Sequence, residues 1–122
     1  MPVRSLNSSV LKWPDKKAVD QAVRSWSIEQ VQLRPETLRL GYFGSYARGN
    51  WGVGSDLDVI AVVDDAAEPF ERRGLKWDLN KLPVPAEILV YTLREWKKLQ
   101  KRSDKFVRML NSEVVWTYTR NR

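Results

Sequence analysis

The spacing of apolar residues changes several times along the chain, and each change marks an element. Val19, Ala22, Val23 and Trp26 fall at i, i+3, i+4 and i+7, the spacing of one helical face. A helix is expected over 14–27, extending towards Gln32. Pro14 suits its first turn, and Asp15 beside it suits the positive end of the helix dipole. Pro35 breaks the pattern. Leu38, Leu40 and Tyr42 then alternate with other residues, which predicts a strand over 37–43 with those three side chains on one face. A short helix over 45–49 follows, then a glycine-rich loop over 49–54 with Trp51 at its centre. Residues 56–63 end in an almost unbroken apolar run, which marks a central strand buried on both faces.

In the second half, Pro69 opens a helix expected to run through Asn80, with Phe70 and Trp77 on one side. Gly74 weakens that helix by about 1 kcal/mol relative to Ala. Pro83 and Pro85 bracket a turn before a strand over 86–92. A helix over 93–101 comes next. Ser103 and Asp104 then cap a short helix over 105–110, and a last strand covers 114–118. Alternating strands and helices without a repeat or linker indicate an α/β (α+β) fold: one domain over residues 1–122, with a mixed sheet flanked by helices. Residues 1–12, polar and serine-rich, read as a partly ordered arm.

The length of 122 residues fits one domain, and 43 % hydrophobic residues supply one core. The chain has no cysteine, which excludes disulfides, zinc–thiolate sites and a cysteine nucleophile and suits a reducing cytoplasm. It has no histidine, so any catalysis must use carboxylates, hydroxyls, cationic side chains, amides and ions. Oxygen donors favour Mg²⁺ over Zn²⁺. No apolar run approaches the roughly 20 residues of a membrane span, and no apolar segment follows Arg4 as in a signal peptide. The formal charge of +6 favours an anionic partner such as a nucleotide, nucleic acid or acidic protein surface.

The chemistry concentrates between Gly44 and Asp58. Asp56 and Asp58, two apart on a strand, share a face; they are either a solvated pair at a strand start or the beginning of a divalent-cation site. Gly44 lets the backbone approach an anion, Ser45 offers a hydroxyl, and Arg48 can reach a phosphate. Each is ordinary alone. Together, with ten residues between Ser45 and Asp56 and a strand on either side, they point to a nucleoside triphosphate.

Gly44-Ser45, ten residues, then Asp56-Leu57-Asp58 resembles the signature of the DNA polymerase β-type nucleotidyltransferase superfamily. The fuller run Gly44-Ser45-Tyr46-Ala47-Arg48-Gly49, with Ser55 before the first aspartate, is similar to its small stand-alone branch, the minimal nucleotidyltransferases. The resemblance is tightest over 38–63 and implies a polymerase β palm-like core. It implies that Gly44 and Ser45, with Arg48 and Ser55, hold an NTP, ATP being the expected one. It also implies that Asp56 and Asp58 bind two Mg²⁺ ions. The third carboxylate of the family maps to Glu87, where aspartate is common; the alternative for Glu87 is a charge at a strand start. The implied activity moves a nucleoside monophosphate, AMP, from NTP to a hydroxyl of a partner macromolecule. The implied setting is that of antitoxin to a helical toxin of the HEPN class. Two alternatives stay open: an NTP-binding module that neutralises its partner by complex formation, and an RNA-end modifier.

Seven basic residues between Arg94 and Arg108 form either a nucleic-acid or acidic-protein contact or a solvated helix face. Among six tryptophans, Trp26, Trp77, Trp96 and Trp116 read as packing residues. Trp51, beside the site, either stacks on a base or partner or anchors its loop.

Overall fold

The computed structural model describes residues 13–120, so the expected arm lies outside the described residues. Helix α1 (Lys16–Leu33) leads into β1 (Thr37–Phe43), the single-turn α2 (Ser45–Arg48) and β2 (Leu57–Val63). After α3 (Phe70–Arg73) and two 3-10 turns (Gly74–Lys76 and Leu79–Lys81) come β3 (Ala86–Thr92), α4 (Leu93–Gln100), α5 (Lys105–Glu113) and β4 (Val115–Thr119). The sheet is mixed, in the order β3-β2-β1-β4. β1 runs antiparallel to both of its neighbours, and β2 runs parallel to β3.

The long apolar run makes β2 central. Leu57, Val59, Ala61 and Val63 face one core, with Leu40 and Tyr42 of β1, Val19, Val23 and Trp26 of α1, and Trp77. Ile60 and Val62 face the other, with Trp96 and Leu99 of α4 and Val107 and Leu110 of α5. The sheet is therefore covered on both sides, as the expected α+β layering requires.

Three expectations need correction. Pro14 precedes α1 rather than occupying its first turn; Asp15, at the expected positive end of the dipole, is the N-cap, its side chain accepting from the Ala18 amide at 2.9 Å. Leu38 does not share a face with Leu40 and Tyr42. The pairing passes from Thr37 opposite Val63 to Arg39 opposite Val62, so β1 carries one extra residue, and this bulge turns Leu38 towards the α4–α5 core. The helix expected over 69–80 breaks after one turn. A Cβ at Gly74 would lie 3.0 Å from Ile88 Cγ2, so the chain here is pressed against β3 and continues as 3-10 turns. Phe70 consequently meets Tyr91 on one face while Trp77 enters the core on the other.

One buried charge ties this crossover down. Arg73 donates to the carbonyls of Glu68 and Val90 and to both carboxylate oxygens of Glu95, at 2.6 and 3.1 Å. Glu95 also forms the capping box of α4 with Thr92. The side chain of Glu95 remains 39 % exposed, which moderates its contribution. Glu95→Ala is expected to cost about 2–3 kcal/mol in urea unfolding at neutral pH, since Arg73 is left buried without its counter-charge. The Arg73 hydrogen bond holds the Glu95 carboxyl below its ordinary range. Its contribution is full above the unfolded value and is lost as pH falls through the lowered one. The two stability curves should therefore converge below about pH 4.

Candidate functional site

The site forms where β1 ends and β2 and β3 begin. Antiparallel pairing sets Phe43 opposite Asp58, so the turn after β1 lies over the start of β2. Gly44 has φ 85°, and a Cβ placed on it would come within 2.3 Å of Asp58 Oδ2. The Gly-Ser turn thus sits directly against the second aspartate, a closeness only glycine allows.

Aromatic packing fixes this turn from behind. Tyr46 is fully buried; its hydroxyl accepts from Trp13 Nε1 at 3.0 Å and donates to the Pro14 carbonyl at 3.1 Å. Trp51 stacks on Tyr46 with ring centroids 5.7 Å apart and planes 5° from parallel. Of the two readings of Trp51, the loop anchor describes what it touches. Ser55 closes the same loop: its hydroxyl accepts from the Gly52 amide at 2.7 Å, and its own amide donates to the Gly52 carbonyl at 2.9 Å.

The three expected carboxylates come together at one end of the sheet. Asp58 and Glu87 are direct neighbours across the parallel β2–β3 pair, and Asp56 immediately precedes β2. Asp58 is half-buried; Asp56 and Glu87 are exposed. Burial, then the Glu87 and Asp56 carboxylates, push the Asp58 carboxyl above its ordinary range; Arg48 pulls it down and Glu113 adds to the rise. Among the described residues, no three carboxylates converge closely enough to hold an ion. The donor set nevertheless fits a hard divalent cation. All three groups are oxygen ligands, they repel one another, and the two exposed side chains are free to rotate towards Asp58.

A residue that sequence reasoning missed completes the cluster. Glu113, the last residue of α5, accepts from the Gly44 amide at 2.8 Å. It also accepts from Arg48 Nη1, at 3.0 and 3.3 Å to its two oxygens. Sixty-nine positions separate Glu113 from Gly44. The only signal was the helix expected over 105–110, and α5 runs three residues further, from Leu110 to Glu113.

The seven basic residues lie apart from this site, on α4, α5 and their connection, and all are exposed. Arg102 pairs with Asp104 and Arg108 with the Ser103 carbonyl; Arg94, Lys97, Lys98, Lys101 and Lys105 make no ion pair among the described residues.

A Gly-Ser turn is thus laid against a strand that carries carboxylates. The model of the nucleotidyltransferase domain family matches residues 25–115, and the chain belongs to that family. A candidate nucleotidyltransferase from Sulfolobus solfataricus is similar in structure, with 18 % identity, 86 % of this chain and 84 % of that one covered, and a TM-score of 0.61. A toxin–antitoxin structure containing AMP-PNP gives 17 % identity, 80 % and 73 % coverage, and 0.56. A mutant of the toxin–antitoxin MntA–HpeT gives 14 % identity, 80 % and 73 % coverage, and 0.54. At these identities the likeness is one of fold. Comparison with curated proteins finds no significant match. No helix among the described residues is long and apolar enough to cross a membrane.

Proposed function

We propose that this protein is a Mg²⁺-dependent nucleotidyltransferase that moves AMP from ATP to a hydroxyl of a protein partner. We further propose that it acts in the cytoplasm as the antitoxin of a HEPN-type toxin. The observation that carries the chemistry is the seating of Gly44 against Asp58, with Glu87 beside Asp58 in register. This brings a triphosphate-binding turn within reach of three oxygen ligands.

In this reading the Gly44 amide, the Ser45 hydroxyl and Arg48 bind the β- and γ-phosphates, and Ser55 shapes the loop beside them. Asp56, Asp58 and Glu87 would hold two Mg²⁺ ions. When bound, these ions supply charge neutralisation at the phosphates and lower the pKa of the attacking hydroxyl. The acceptor oxygen forms a bond to the α-phosphorus as the bond to the bridging oxygen of pyrophosphate breaks. The hydroxyl proton passes to Asp58 or Glu87, directly or through water. No histidine is needed.

The toxin–antitoxin neighbours, one of them with AMP-PNP, support the setting and the adenine nucleotide. The test is incubation with α-labelled ATP, Mg²⁺ and the product of the adjacent gene as candidate partner. Label on that partner, released by nuclease as AMP, is the expected result. An unlabelled partner that is still neutralised by an Asp56→Asn/Asp58→Asn variant would replace this reading with the binding-module one. Glu87 in place of aspartate, and the unconverged carboxylates, are the observations that favour that second reading. Label on RNA would favour the RNA-end modifier.

A further inference from the structure

We infer that Glu113 is a built-in occupant of the triphosphate seat, displaced when nucleotide binds, and that it sets the affinity of the site. This deepens the proposed function and rests on it. The Glu113 carboxylate takes the Gly44 amide at 2.8 Å and Arg48 Nη1 at 3.0 Å. A left-handed turn amide and a guanidinium are the two donors in this turn best suited to an anion, and they serve a carboxylate and a phosphate oxygen alike.

Nothing in α5 itself asks for an acid at this position. Glu113 ends the helix, where the dipole disfavours a negative charge. Its side chain is nevertheless only 14 % exposed, held by the Gly44 amide and the Arg48 guanidinium. A phosphate arriving at Gly44 and Arg48 with Glu113 in place would meet two carboxylates at once. Nucleotide and Glu113 therefore exclude one another from the same donors. The glutamate side chain has the torsional freedom to swing aside, and Arg48 on the rim, 46 % exposed, can follow the incoming phosphate.

Glu113→Gln keeps the shape and an acceptor oxygen but removes the charge, so the seat is held less tightly. The experiment measures binding of ATP, and separately of inorganic tripolyphosphate, by calorimetry without divalent ions and then with Mg²⁺. The variant is expected to bind both ligands roughly tenfold more tightly than the wild type, the span of one charge-assisted hydrogen bond. Because tripolyphosphate has no base, an equal gain for both locates the effect at the phosphates. If Glu113 only braces Arg48, Glu113→Gln will bind ATP equally or more weakly, which overturns the inference and leaves the nucleotide site standing. If neither protein binds either ligand, the inference and the proposed function fall together. Glu113→Asp, whose shorter side chain pulls the carboxylate back from Gly44, is the second variant should the first not fold. It is expected to tighten binding in the same direction, and unchanged or weaker binding overturns the inference.

Discussion

Asp58→Asn is expected to raise the melting temperature in metal-free buffer and to abolish nucleotidyl transfer. Asp58 is a half-buried carboxylate beside Asp56 and Glu87, and its ionised form is disfavoured by burial and by both neighbours. Asparagine has nearly the same shape and no charge. Relief of this repulsion should stabilise the fold by about 1 kcal/mol, which raises the melting temperature of a domain this size by roughly 3–6 °C. Mg²⁺ with ATP should then stabilise the wild type by mass action and leave the variant unmoved, so the gap narrows or reverses. Transfer should fall by about 10³-fold or more, because a ligand to the neutralising ions is lost. Stability bought at the expense of activity is the mark of a functional carboxylate. A variant that is no more stable and still transfers would remove Asp58 from the site.

Gly44→Ala should damage the site through a single methyl group. The φ of 85° costs a non-glycine residue about 1–2 kcal/mol, and the new Cβ would press on Asp58 Oδ2 from 2.3 Å. The carboxylate must then leave its place beside Glu87 and the phosphate turn. Gly49 is the control: its φ is 86°, yet a Cβ there meets nothing within 4 Å. Both variants should lose stability in urea unfolding, Gly44→Ala the more, because its ψ of −153° lies outside the left-handed helical region that Gly49 occupies with ψ 8°. Gly44→Ala alone should lose transfer by about a hundredfold or more, since misplacement of about 1 Å at a reacting centre costs that much. Equal loss of transfer in both would mean that backbone strain, not contact with Asp58, explains the glycine.

These two positions were legible in the sequence because their signals are local. Gly44, Ser45, Asp56 and Asp58 lie within fifteen residues, and the strands that hold them are the clearest in the chain. β1 and β3 occupy the expected ranges, and β2 begins one residue later than expected. Proline or glycine lies shortly before each (Pro35, Gly54 and Pro85), and β2 carries a nearly continuous apolar run. The cap at Asp104 was legible for the same reason: its side chain accepts from the Val107 amide, three residues on.

What stayed hidden depends on contacts between distant segments. Gly74 weakened an expected helix on propensity alone, but the break follows from Ile88, which no local pattern connects to it. The bulge at Leu38 is invisible because alternation by itself predicts an unbroken register. Arg73 reads as one more surface cation until Glu95 and the Val90 carbonyl are brought to it. Glu113 lies beyond Leu110, the last residue of the apolar pattern of α5, after two exposed polar residues, and it is half-buried where the turn after β1 comes back to meet it.

The most direct measurement of the central claim is calorimetric titration of ATP into the wild type and into Asp56→Asn/Asp58→Asn, with and without Mg²⁺. If the Gly44–Ser45 turn and the carboxylates form one nucleotide–metal site, the wild type will bind one ATP per chain, more tightly with Mg²⁺ than without. The double variant will have lost that Mg²⁺ dependence. ATP binding that ignores both Mg²⁺ and the two substitutions, or no binding at all, would contradict the site described.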